Sequence, residues 1–236
     1  MSVPRTFNFA SDCVSCRLRC EGDFCNIPLE VLQVFNDTGH LTVFPGNVDL
    51  LIEGQLPRGV FVLCSGRAKL SVSSRDGKVV ILNIAGSRQL MGLSAVVSGL
   101  PSPVTVTTVE YCQVKFVERE DFLRLLARNS SVALACAATL SRDVDRAFDS
   151  LHEMLLARSS AGKLARLLLS LAGNQPGNRD LQVTADFTHL EMAQMIGSSR
   201  ETVTRLLGIL KRKHLIRLEG ATLVIPDRIA LQAIAA

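Results

Sequence analysis

The sequence has no tryptophan, a single tyrosine and only 5% aromatic residues in all. Its interior must therefore be built from leucine, valine, isoleucine and alanine. Long apolar runs are missing too. The longest nearly apolar stretch, Val132 to Leu140, falls well short of the roughly 20 residues that span a bilayer. The opening MSVPRTFNFASD lacks the apolar core of a secretory signal. A soluble cytoplasmic protein with no membrane partner is expected. No serine–histidine–aspartate arrangement, phosphate-binding glycine loop or paired catalytic carboxylates stand out, and His40, His152, His189 and His214 are scattered. The sequence therefore does not read as an enzyme. Wholesale disorder is excluded by a content of 47% hydrophobic and 20% charged residues, and 236 residues suffice for two modest domains with their own cores.

Against these absences stand seven cysteines, four of which (Cys13, Cys16, Cys20 and Cys25) crowd into the first 25 residues. An odd count without a signal peptide points to a reducing compartment, where such a cluster binds metal more readily than it forms disulfides. Cys13 and Cys16 are spaced so that two thiolates can close on one metal. Cys64 and Cys136 lie in apolar surroundings and read as small core hydrophobes. The net charge of +4 permits a nucleic-acid partner without demanding one.

The pattern along the chain is α+β. From about Val34 to Val117 short strand-like runs alternate with turn signals, and Asp76-Gly77 sits between the runs Ala68–Ser73 and Val79–Ile84 as a hairpin turn. A small antiparallel barrel or roll follows. From Glu118 the period becomes helical. Ala137, Leu140, Val144, Ala147, Leu151 and Met154 step alternately by three and four, the spacing of a coiled-coil seam, which predicts a homodimer through this helix. The alternative is a helix packed on its own roll. The expected divisions are a cysteine-rich segment (1–30), a β-roll sensor domain (31–117), a dimerisation helix region (118–158) and a DNA-binding domain (159–236).

Thr188 to Lys213 reads as two short helices joined by a tight turn at Gly197, with Ala193 small enough for a close crossing. Thr188 with Glu191, and Ser198 with Glu201, fit capping boxes. IRLEGATLVIP then forms a hairpin turning at Gly220, the wing of a winged helix-turn-helix. The second helix opens with groups suited to the major groove: Arg200 and Arg205 can each grip guanine with two donors, and Glu201 can accept from cytosine. Ser199, Thr202 and Thr204 are placed for phosphate or a thymine methyl. From Ser159 onward ten basic residues face six acidic ones, a surplus as large as that of the whole chain.

SSRETVTRLLGILKRKHLI followed by a short hairpin resembles the DNA-binding domain of the CRP/FNR superfamily of bacterial transcription regulators, and the order roll, long helix, winged helix-turn-helix extends the resemblance over nearly the whole chain. It implies an N-terminal antiparallel β-roll like a cyclic-nucleotide-binding domain, a long dimerisation helix and a homodimer on double-stranded DNA. The operator would be palindromic with TGTGA-like or TTGAT-like half-sites, and RNA polymerase a further partner. Relatives that bind a cyclic nucleotide use a glutamate for the ribose and an arginine for the phosphate. Here those places hold Leu93 or Ser94, and Pro101-Ser102-Pro103-Val104. A cyclic phosphate without a cation beside it would be desolvated and unpaired, so no cyclic nucleotide is expected.

The N-terminal cysteines are similar to those of FNR-type oxygen sensors, which hold a [4Fe–4S] iron–sulfur cluster through three N-terminal cysteines and one distant roll cysteine. That resemblance implies Cys13, Cys16, Cys25 and, from YCQVKF, Cys112 as ligands, with Cys20 as a possible substitute. Two alternatives stay open: four local thiolates holding zinc, and a thiol–disulfide switch helped by Arg17 and Arg19. A different class of function is a metal- or ligand-binding module whose winged segment makes protein contacts.

Overall fold

The computed structural model describes residues 12–16, 24–156, 159–172, 181–184, 187–219 and 222–235. Cys20, Arg17, Arg19, the 173–178 break and Gly220 lie outside the described residues, as does the side chain of Met154. The chain divides into two compact units, Met1–Ser74 with Leu82–Ala147, and Arg75–Ile81 with Phe148–Ala236.

The first unit begins with helix α1 (Leu29–Thr38), which buries Leu32 and Phe35. Strands β1 (His40–Phe44), β2 (Asp49–Leu51), β3 (Gly59–Ser65), β4 (Ala68–Ser73), β5 (Val79–Ala85) and β6 (Leu90–Met91) follow. Then come the short helix α2 (Leu93–Ser98), β7 (Thr105–Thr108) and β8 (Cys112–Glu118). They build two four-stranded sheets, ordered β1-β8-β3-β6 and β2-β7-β4-β5. The Asp76-Gly77 turn lies between β4 and β5 as expected, with Gly77 at φ 80°. Expected strand from Val34 onward starts instead as the end of α1. The segment LEVLQVFNDT places Leu32 and Phe35 three apart on one buried helical face, which overrides its β-branched content.

Strand alternation assigns each side chain of β3 and β8 to one of two cores. Val60, Val62 and Val117 pack with Phe24, Leu32, Phe35 and Phe122 on the α1 side. Leu63, Val114 and Cys112 pack with Leu51, Ala68 and Val106 between the sheets. Helices α3 (Arg119–Arg128) and α4 (Ser130–Leu156) follow, and α4 sinks Val132 and Cys136 into the α1-side core. Cys136 is thus a core residue, as the sequence indicates.

The second unit contains α5 (Ser160–Ala172), β9 (Leu181–Thr184), α6 (His189–Ile196), α7 (Arg200–Arg212), β10 (Arg217–Glu219), β11 (Thr222–Ile225) and α8 (Arg228–Ala235). Strands β10 and β11 are the expected wing, and β9 extends it to a three-stranded antiparallel sheet, β10-β11-β9. Buried Leu181 and Val183 flank exposed Gln182, the period-two signal of that extra strand.

Candidate nucleic-acid interface and thiol cavity

The capping box of α6 forms as predicted: Thr188 Oγ1 accepts from the Glu191 N–H at 3.2 Å, and Glu191 Oε2 accepts from the Thr188 N–H at 2.9 Å. Gly197 closes α6 in the left-handed region at φ 63°, where a side chain would be strained. The N-cap of α7 is Ser199, one residue later than the expected Ser198; its Oγ accepts from the Thr202 N–H at 3.2 Å. The shift follows from Gly197, because the chain needs one more residue to leave the left-handed turn and reach the extended cap at φ −93°, ψ 154°.

Val203, Leu206 and Leu210 bury one face of α7. The opposite face presents Arg200, Glu201, Thr204 and Arg205, all exposed, while Thr202 is half-buried. The N-terminal turns of a recognition helix reach base edges, so these exposed groups are the candidates for reading them. Its own main-chain N–H, and then the Ser199 hydroxyl, hold the Glu201 carboxyl below its ordinary range, keeping it an ionised acceptor. Thr204 Oγ1 donates to the Arg200 carbonyl at 2.9 Å and lies 2.9 Å from His189 Nδ1. The hydroxyl thus bridges the Arg200 carbonyl and His189 Nδ1, which ties α6 to α7.

On α4, Val144 is 52% exposed, Phe148 65% and Leu151 53%, with Ala137 and Ala147 also exposed. Leu140, expected on the dimer seam, is half-buried against the α1-side core. Phe148, missed by the seam pattern, lies on the open face, four residues after Val144 and three before Leu151. The apolar stripe is therefore rotated slightly from the expected one, because the first turns of α4 spend Val132, Cys136 and Leu140 on their own unit.

In the first unit, Cys13, Cys16, Cys25 and Cys64 line one cavity together with Arg88 and Lys115. The cavity is partly open to solvent. Asp12 shapes the Cys13–Cys16 loop, since its carboxylate accepts from the Ser15 N–H at 2.7 Å and from the Ser15 hydroxyl. The Cys13 N–H donates to Asn36 Oδ1 at 3.0 Å, fixing that loop on α1. Burial, and then the nearby Cys13 and Cys16, push the Cys64 thiol up to about 12.

One expectation is corrected here: Cys64 is not a filler of the core but a half-buried wall of the cavity. Cys112, expected as the distant ligand, is not among the residues that line this cavity. Alternation on β8 sends Cys112 inward with Val114, where Sγ donates to the Arg67 carbonyl at 3.1 Å. A side chain on Gly66 would strike that sulfur at 2.7 Å, so Cys112 is closed in beneath a glycine. The face of β8 toward the cavity carries Lys115 instead. On β3 the pairing with β8 slips between Leu63 and Ser65, which leaves Cys64 as a bulged residue, a device that re-aims side chains. Leu63 beside it is bonded on both main-chain sides to the 86–89 turn, its N–H donating to the Gln89 carbonyl at 3.0 Å and its carbonyl accepting from the Arg88 N–H at 2.5 Å.

In the stretch that the resemblance matches to a nucleotide site, Leu93 is buried at the start of α2 and Ser94 is exposed. Buried Ser102 donates to the Val104 carbonyl at 2.7 Å.

Residues 41–129 match the family profile of a cyclic nucleotide-binding domain and residues 162–234 that of a Crp-like helix-turn-helix domain. The CRP-like cAMP-activated global transcriptional regulator of Mycobacterium tuberculosis (strain CDC 1551 / Oshkosh) is 29% identical over 187 residues, 78% of this chain and 83% of that protein. The cyclic AMP receptor protein of Thermus thermophilus is 26% identical over 193 residues, 82% and 87% of the two chains. The structure of FixK2 from Bradyrhizobium japonicum shares the fold with a TM-score of 0.71 at 18% identity, covering 84% of this chain and 98% of that one. Both domains in one chain, a recognition helix with its reading face open, and relatives that are transcription regulators rather than enzymes lead to one conclusion: the chain belongs to the CRP/FNR superfamily and is a DNA-binding transcription regulator.

Proposed function

We propose that the chain acts in the cytoplasm as a homodimer on a palindromic operator with TGTGA-like or TTGAT-like half-sites, and that an iron–sulfur cluster on its N-terminal thiols, rather than a cyclic nucleotide, sets its activity. The observation that carries the sensor reading is the gathering of Cys13, Cys16 and Cys25 on one cavity with a further thiol. The donor set fits the group, because clustered thiolates select iron–sulfur or zinc. Such a cluster, of the [4Fe–4S] type by resemblance, would supply an oxygen- and redox-labile centre. The chain's own residues hold the loop in place through Asn36 and Asp12 and surround it with the cations Lys115 and Arg88. The α2 region offers neither a carboxylate for a ribose nor a cation for a cyclic phosphate between Leu93 and Val104. For the homodimer, the support is the open stripe of Val144, Phe148 and Leu151 on α4. RNA polymerase is a further partner to be expected of such a regulator.

Anaerobic purification with iron, sulfide and zinc analysis tests the sensor. Iron with matching acid-labile sulfide is the expected result, and stoichiometric zinc without iron rejects the cluster. Selection of operators from random duplex DNA tests the other half, and enrichment of no two-fold site overturns it.

A further inference from the structure

We propose that Cys13, Cys16, Cys25 and Cys64 form a single four-thiolate metal site whose buried counter-charge is Lys115. The inference rests on the metal-bound reading above and assigns its donor from the roll to β3 instead of β8.

The sheet's alternation carries the assignment. One face of β3 and β8 bears Val60, Val62, Lys115 and Val117 and packs toward α1, and the Cys13–Cys16 loop is fixed to α1 through Asn36. Cys64 follows Val62 on that face, and the bulge after Leu63 frees it from regular pairing with β8. Cys112 belongs to the opposite face. Bringing it to the cavity would require a one-residue slip of β8, which would also drive Lys115 and Gln113 into the apolar interior between the sheets.

Lys115 supplies an independent pointer to the charge of the occupant. It is 5% exposed, and its ammonium donates to Asn36 O at 2.6 Å and to Asn36 Oδ1 at 3.3 Å, both neutral oxygens. A desolvated ammonium is costly unless an anion faces it. The carboxylate of Asp12, which accepts from Ser15, lines the same cavity and supplies one negative charge there. Four thiolates around zinc or an iron–sulfur cluster carry net negative charge, which the ammonium and the neighbouring Arg88 offset. Among the described residues no three Cys, His, Asp or Glu side chains already close on a single ion.

The test compares full-length wild type with Cys64→Ala and Cys112→Ala, each purified anaerobically and loaded with ferrous iron and sulfide, or with zinc where wild type takes only zinc. Loss of most of the bound metal in C64A, with C112A retaining the wild-type content, supports the assignment. Metal retained by C64A, equal loss in both variants, or no metal in wild type overturns it. A wild type that holds zinc and no iron defeats the cluster reading alone, and the zinc content of the two variants then decides the ligand set. Alkylation of the wild-type chain, mapped by mass, guards against misfolded variants: Cys64 should be protected by the metal and labelled after chelation, while Cys112 stays unlabelled in both states. Cys64 labelling that is indifferent to metal overturns the proposal.

Discussion

Lys115 Nζ donates to the main-chain carbonyl of Asn36 at 2.6 Å and, at 3.3 Å, to the same side-chain oxygen that accepts from the Cys13 N–H. One amide thus serves a buried cation and the cysteine loop together. Asn36→Ala should destabilise the chain by about 1–3 kcal/mol, the cost of leaving buried polar groups unsatisfied. It should also speed alkylation of Cys13 in the metal-free protein. Urea denaturation and mass-mapped labelling read the two effects, and an unchanged Cys13 rate would show that the loop is held by other means.

The reading face of α7 gives a prediction about sequence. Arg200→Ala and Arg205→Ala should each cost about 1–3 kcal/mol and relax specificity at one base pair per half-site. Thr204→Val should change little, because the hydroxyl is engaged by Arg200 and His189 within the protein. Anisotropy titrations against operators mutated at single positions separate these cases. A loss that is equal on every sequence would mark a phosphate contact instead.

For assembly, Phe148→Asp and Val144→Asp should give monomers in sedimentation at micromolar protein while leaving the far-ultraviolet spectrum unchanged. Both side chains are more than half exposed in the single chain, so neither substitution removes packing from its own unit. Dimers that survive both changes would exclude α4 as the seam.

Alkaline stability should depend on Cys136. Burial pushes its thiol from 9.0 up to about 12, so the unfolded chain releases this proton first as pH rises. The folded state then binds more protons than the unfolded one between about pH 9 and pH 12, and stability falls across that window. Melting temperatures of Cys136→Ala should decline less steeply above pH 9 than those of wild type. Parallel slopes would falsify this account.

Calorimetry with cyclic AMP or cyclic GMP should show no binding heat, since Leu93 and the Pro101–Val104 stretch supply no charge for the ribose or the phosphate. Micromolar affinity for either nucleotide would return this chain to the behaviour named for its mycobacterial and Thermus relatives.

Local chemistry made much of the fold legible. Asp76-Gly77, Thr188 with Glu191, and Gly197 each act within a few residues, so their turns and caps could be read from the letters alone. The exposure of Arg200, Glu201, Thr204 and Arg205 on α7 was legible for the same reason. Tertiary choices were not. Leu140 fits a seam by spacing, yet the core beside it claims the side chain, and Phe148 takes the open face. Cys64 looks like any small apolar residue until a bulge aims it across the sheet, whereas Cys112 matches a familiar position and faces the interior between the sheets. A strand's parity decides which of two cysteines meets the loop, and parity depends on pairing partners distant in sequence.

The pair of main-chain hydrogen bonds between Leu63 and the 86–89 turn gives that parity a mechanical meaning. A tether at Cys64 pulls on a strand whose neighbour is clamped to the lead-in of β6 and α2. A tether at Cys112 would have pulled on the strand running into α3. With Cys64 as a ligand in place of Cys112, tension from the thiol cavity would enter the roll through the turn before α2, and that turn would be the first to feel a change in the bound group.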